Sequence, residues 1–198
     1  MRDVLEEDRF LYIVMEYAPG GDLFTHVQKH GHLSETKARY FFKQMVDAVQ
    51  FCHEKKIVHH DVKLENMLLQ SLPEQSLRLS DFGLSQKIHP TESISACCGS
   101  PLYMAPEVFS TQPHNELVDV WSLGVCLYVM VSGTFPFVAN SYSDLEEKVL
   151  FYDPSYLVGI SATCNDLLQG MLRKDPLKRY AMSAIKQHKW VVEGNRYV

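Results

Sequence analysis

IVHHDVKLENMLL, residues 57–69, is the stretch on which the reading of this chain turns. Apolar residues close both ends. Between them stand two histidines, an acid at Asp61, a base at Lys63 and an amide at Asn66. Asp61 can accept a proton from a hydroxyl, Lys63 can neutralise an anionic oxygen, and Asn66 offers an amide oxygen to a hard cation. Fifteen residues beyond Asn66 comes Asp81-Phe82-Gly83, a carboxylate at an expected strand end, with a glycine that lets the chain turn.

Outward from that loop the sequence alternates between clear elements and breaks. Residues 9–17 (RFLYIVMEY) are β-branched and aromatic and read as a strand, stopped by APGGD. A short helix is expected over 22–30, with Gly31 ending it. Ser34 then reads as an N-cap. After it Ala38, Phe41, Phe42, Met45, Ala48, Val49 and Cys52 recur at helical spacing, the mark of a long amphipathic helix. Residues 121–131 are apolar nearly all round and read as a fully buried helix that can cover its stripe. Short strands are expected at 67–70 and 77–80 around a turn. From 83 to 106 periodicity fails, as it does in functional or disordered segments. Helical patches follow near 143–150, 162–172 and 182–190.

Bulk properties narrow the function. The chain has 198 residues, 46% hydrophobic and 22% charged, a globular composition suited to one domain or a large part of one. A formal net charge of −5 argues against nucleic acid as the main partner. Five cysteines, an odd count with no C-x-x-C, suggest neither a disulfide framework nor a zinc site, and fit a reducing compartment. Adjacent Cys97 and Cys98 read as inert thiols. No signal peptide is expected in the charged N-terminal stretch, and no apolar run is long enough to span a bilayer. A cytoplasmic or nuclear location is therefore expected.

Asp81 and Asn66 together would form an oxygen cage for Mg2+ on a nucleotide's phosphates, with Asp61 orienting the nucleophile. Phosphoryl transfer asks for that layout of positioning and charge neutralisation. The motifs resemble the large lobe of a eukaryotic protein kinase. His59-His60-Asp61 through Asn66 is similar to the catalytic loop H-R-D-x-x-x-x-N, apart from one residue, and Asp81-Phe82-Gly83 is D-F-G. Ala105-Pro106-Glu107 is A-P-E, DVWSLG from Asp119 resembles the buried-helix signature, and Arg179 matches the arginine that pairs with the A-P-E glutamate.

The resemblance implies an α+β, protein kinase-like fold: a mostly helical large lobe with a remnant of the small-lobe sheet. Residues 1–190 would be a partial kinase domain, with 1–17 the remnant and hinge, 18–190 the large lobe, and 191–198 a tail. It implies Asp61 as catalytic base and Lys63 on the γ-phosphate, a serine/threonine-kinase placement. It implies Mg2+ on Asn66 and Asp81. For ATP it implies Met15 as gatekeeper, the backbones of Glu16 and Ala18 on adenine, Leu68 beneath the base and Asp22 at the ribose. Asp22 also reads simply as a helix cap. Ser100 would brace Asp61 and Lys63, and Glu65 would meet a substrate arginine. His59, Phe82, Glu107, Asp119 and Arg179 would be structural. GSPLYMAPE (99–107) and the stretch 120–137 look most like the calcium/calmodulin-dependent and AMP-activated-related group.

Two departures matter. No G-x-G-x-x-G loop and no V-A-I-K-type lysine precede Tyr12. Weak ATP binding, slow transfer and poor solubility are therefore expected of these residues alone. Either a piece of a full kinase or an inactive module would carry this pattern. Second, His60 stands where the family usually has an arginine that grips an activation-loop phosphate, and the usual phosphoacceptor is Ala96. Both halves of that switch are missing together, so the loop is expected not to need phosphorylation there. The alternative left open pairs Ser95 with His60. The leading expectation is a serine/threonine kinase using Mg-ATP on protein substrates, with Asp22 and Glu65 pointing to basic residues near the acceptor. The other is a pseudokinase-like scaffold. Oligomeric state is not legible.

Overall fold

The computed structural model describes residues 2–70, 76–88 and 98–193. Strand β1 (Asp3–Glu7) pairs antiparallel with β2 (Phe10–Val14) across a two-residue turn at Asp8 and Arg9. Every residue of both strands is exposed. The expected strand over 9–17 is thus paired only in its middle. Its partner escaped notice because DVLEE carries too little apolar alternation to read as half-buried.

The chain leaves the hairpin through a glycine turn stitched to β4 (Met67–Leu69): the Gly20 N–H donates to the Leu69 carbonyl at 3.0 Å, and the Leu69 N–H to Gly21 at 2.8 Å. Helix α1 (Leu23–His30) follows, ended by Gly31 at φ 76°. Helix α2 (Glu35–Glu54) starts where the sequence places it, with the Ser34 hydroxyl accepting from the Lys37 N–H. Its buried stripe is Ala38, Phe41, Phe42, Met45, Val46, Val49 and Cys52. Strand β3 (Ile57–Val58) leads into the polar loop, and β4 returns antiparallel to β5 (Leu77–Leu79). Strand β6 (Gln86–Lys87) pairs back with β3, structure that the aperiodic 83–106 segment did not announce.

Helix α3 (Pro106–Phe109) precedes α4 (Leu117–Ser132), which is buried over almost its whole surface and packs between α2 and α6 (Ala162–Met171). Trp121, Leu123, Leu127 and Met130 have no exposed surface, and burying each such side chain contributes roughly 1.5–3 kcal/mol. That is what fixes the height of α4 beneath the polar loop. Helix α5 (Tyr142–Phe151) covers one end. The helix expected over 182–190 is two pieces, α7 (Met182–Gln187) and α8 (Lys189–Val192). His188 breaks it by taking an extended ψ of 137°, its ring accepting the Trp190 N–H as a cap. Among the described residues no helix is long and apolar enough to cross a membrane.

Candidate active site

The polar loop between β3 and β4 cannot hold its shape alone. His60 sits at φ 65°, in the left-handed region that a β-carbon disfavours. Asp119, in the first turn of α4 and wholly buried, pins it. Its two oxygens accept the backbone N–H groups of His59 and His60, each at 2.9 Å. The His53 Nε2–H donates to the same carboxylate at 2.8 Å. Two buried donors are thereby satisfied at a bend that would otherwise leave them bare, and each such loss costs about 1–3 kcal/mol.

His59 packs beneath. Its Nε2–H donates to the Ser80 carbonyl at 3.1 Å, its Nδ1 accepts the Asp61 N–H at 3.3 Å, and its ring meets Phe82 edge-on at 4.8 Å. These partners require a neutral ring. Burial lowers its pKa, against the pull of Asp119, the Ser80 carbonyl, Asp61 and Asp81.

Asp61 is the focus. Its Oδ1 accepts the Ser100 N–H at 3.1 Å and the Ser100 hydroxyl at 2.9 Å. Its Oδ2 meets Lys63 Nζ at 2.6 Å and the Asn66 amide at 3.1 Å. Burial opposes ionisation, but the hydrogen bonds of Lys63 and Ser100, the Lys63 charge and the Asn66 amide outweigh it, and the carboxyl lies below the usual aspartate range. Lys63 Nζ also donates to the Ser100 hydroxyl at 2.8 Å. Gly99, at φ 109°, lets the segment come this close: a β-carbon there would lie 2.6 Å from the His60 carbonyl.

Asn66 is turned by its amide nitrogen, which donates to the Asp61 carbonyl at 2.9 Å as well as to Oδ2. Its backbone carbonyl accepts from both the N–H and the hydroxyl of Ser80, at 2.9 and 3.0 Å. Those bonds bring Asp81, the next residue, to the same end of the β4–β5 pair. Asp81 is exposed, sits at φ 61° and accepts the Gly83 N–H at 3.2 Å. Positions 61, 66 and 81 thus share one neighbourhood.

The remaining expected residues lie as follows. Glu107 and Arg179 form a buried, doubly bonded pair at 2.6 and 2.9 Å, with Arg179 also donating to the Leu117 carbonyl. Glu65 is half-buried and accepts the Tyr103 hydroxyl at 2.9 Å. Asp22 uses both oxygens on Thr25, its N–H and its hydroxyl, as a helix cap. Leu68 is half-buried and bridges to Asp22. Met15 and Glu16 are exposed and Ala18 is half-buried. Ser95, Ala96 and Cys97 lie outside the described residues. Sequence reasoning missed His53 and His114. His114 lies in a loop with no periodicity to mark it, yet its ring stands 5.6 Å from that of His60.

With this geometry in view, the comparisons are specific. The sequence model of the family described as "Protein kinase domain" matches residues 1–191. The chain is 44% identical over 192 residues to Serine/threonine-protein kinase SIK2 of Gallus gallus, covering 95% of this chain and 23% of that protein. It is 43% identical over 192 residues to Serine/threonine-protein kinase SIK1 of Mus musculus, covering 95% and 24%. The chain therefore spans about a quarter of the length of these curated relatives.

Proposed function

Since the chain belongs to the protein kinase domain family, we propose that it acts as the large lobe of a serine/threonine kinase, transferring the γ-phosphoryl group of Mg-ATP to protein hydroxyls. The observation that carries this reading is the convergence on Asp61 of Lys63, Asn66 and Ser100, with Asp81 placed alongside.

The donor set fits magnesium. Both amide donations of Asn66 go to Asp61, which leaves its carbonyl oxygen for a hard cation. The exposed Asp81 supplies a carboxylate, one oxygen of which accepts the Gly83 N–H. Asn66 and Asp81 are the residues that would hold the ion. When bound, it neutralises the charge of the phosphate oxygens.

The chain's own groups then have definable tasks. A carboxylate held ionised at neutral pH, as Asp61 is, orients an incoming hydroxyl and takes its proton late. A loose phosphoryl transfer requires little more. Lys63, whose ammonium lies 2.6 Å from Asp61, would contact an oxygen of the transferred phosphoryl group. Ser100 keeps both in register. We read Leu68 as the floor beneath adenine, Met15, Glu16 and Ala18 as the strap along its edge, and Asp22 as both helix cap and ribose contact. Residues 1–17 belong in this reading to the small lobe and hinge, 18–190 to the large lobe, and 191–198 to a tail. Protein substrates with basic residues near the acceptor suit Glu65 and Asp22, and a cytoplasmic or nuclear site suits such substrates.

The test is phosphotransfer from labelled Mg-ATP to a basic serine peptide, comparing the chain with Asp61→Asn. Transfer by the former alone supports the reading. Equal signal from both, or none from a longer protein containing these residues, overturns it.

A further inference from the structure

His60 touches both ends of the stretch of chain that runs from Asp81 to Ser100. At the near end its Nδ1 faces the Leu84 carbonyl at 3.2 Å. A carbonyl only accepts, so Nδ1 carries the proton. At the far end the His60 carbonyl backs onto Gly99, where a β-carbon would lie 2.6 Å away. The residue after that glycine, Ser100, holds Asp61 by its N–H and its hydroxyl. His60 has little room to move. It is 8% exposed, its N–H is anchored on Asp119, and its ring meets that of His114 edge-on at 5.6 Å. His114 is fixed in turn, its Nδ1–H donated to the Gln112 carbonyl at 2.9 Å.

Taking the function proposed above as the premise, we propose that His60 is a positioning residue that clasps both ends of this stretch to the polar loop, so that Asp61 and Asp81 keep their places with no charged group needed on the residues between. The Leu84 bond lies where the chain leaves the turn that carries Asp81. The Ser85 N–H closes that turn on the Phe82 carbonyl at 3.1 Å, and the Ser85 hydroxyl donates to the His59 carbonyl at 3.4 Å. Residues 59 and 60 thus grip adjacent residues of one turn, one by its carbonyl and the other by its ring. The Ile88 N–H, donated to the Lys56 carbonyl at 2.8 Å, continues the same seam. The clasp is uncharged. Burial lowers the pKa of His60, against the Leu84 carbonyl and Asp119 and with help from His114 and His59. Its Nε2 is buried without a partner. A neutral ring with its second nitrogen closed off offers an anion neither charge nor a donor. A phosphate on Thr91, Ser93 or Ser95 would therefore gain no ion pair from His60.

Hydrogen exchange at the Ser85 and Ile88 amides of the full chain reads the clasp without any catalysis. His60→Gly removes the ring but suits the left-handed backbone at φ 65° better, so loosening in that variant is not strain. Exchange at both amides should quicken about two- to tenfold, the worth of one neutral hydrogen bond. His60→Asn tolerates the same backbone and keeps a side-chain N–H, so it should recover most of the protection. In phosphotransfer by a longer protein containing these residues, His60→Gly should lower kcat at least about tenfold with KM for the peptide little changed, because a misplacement of about 1 Å can cost on the order of a hundredfold. His60→Asn should again recover most of the loss, and phosphatase treatment of the parent should change neither rate nor exchange. On the unsubstituted chain, 15N-labelled histidine should show His60 as the Nδ1–H tautomer, which needs no variant to fold. Unchanged exchange in His60→Gly, a His60→Asn variant as loose as His60→Gly, an Nε2–H tautomer, or a rate or exchange that shifts with phosphatase would each overturn the proposal. Exchange that responds as expected in a protein with no phosphotransfer would sink the function proposed above and leave the clasp standing.

Discussion

Ser100 holds Asp61 twice through one oxygen, by its N–H at 3.1 Å and by its hydroxyl at 2.9 Å, while the same hydroxyl accepts from Lys63. Ser100→Ala removes one of the donors that keep the Asp61 carboxyl low. Its pKa should rise toward the ordinary range. A lowered carboxyl pKa keeps the ionised form down to lower pH, and that form disappears as pH falls through it. The acid limb of phosphotransfer should therefore move to higher pH in the variant. A pH–rate profile checks this: a lower rate with an unmoved limb would mean that Ser100 acts on Lys63 alone.

The Glu107–Arg179 pair is sealed from solvent, with side chains 5% and 0% exposed. Arg179→Met strands a carboxylate in the interior, and urea unfolding should show a loss of about 3–5 kcal/mol. Glu107→Leu added to Arg179→Met should recover a good part of it, because the stranded charge is then gone. No recovery would mean that Arg179 matters mainly through its bonds to the Leu117 and Arg173 carbonyls.

Lys56 follows the end of α2 at φ 61° and is exposed. A left-handed residue past a helix end favours glycine. Relief of its strain exceeds the added freedom of the unfolded chain, so Lys56→Gly should stabilise by about 1 kcal/mol. Chemical denaturation measures it, and a destabilised variant would refute the strain argument.

Lys174 lies over Phe137 and Trp121, at 4.2 and 5.1 Å from the ring centres, and donates to the Val149 carbonyl. Burial lowers its pKa from 10.5 to about 8, against Asp153 and with help from Arg179. Between those values the unfolded chain binds the proton and the folded chain does not, so stability contributed by this group rises with pH from about 8 to 10.5. Melting temperature followed over that window should rise more in the parent chain than in Lys174→Met. Parallel curves would contradict it.

Much of the helical frame was legible because its signals are local. Ser34 and Asp22 cap the helices they precede, and the α2 stripe is the one its spacing predicts. Residues 61, 63, 66 and 100 were singled out through motifs shared with the kinase family, and they lie in mutual contact. What escaped depends on distance along the chain or on a missing apolar signal. β1 is exposed on both faces, so no alternation marks it. The break at His188 comes from a ring capping the next turn, which periodicity does not register. His53 and His114 reach the loop only through tertiary packing, across 66 residues to Asp119 in one case.

The anchoring of residues 59 and 60 by Asp119 also sets an order of events during synthesis. The loop leaves the ribosome about sixty residues before the carboxylate that shapes it, and a contact that remote forms late. A nascent chain that has made α2 but not α4 carries every residue of the loop and none of its geometry. The shape of the loop therefore comes as a single late step, when the buried helix docks, and a stalled or prematurely released product should lack it.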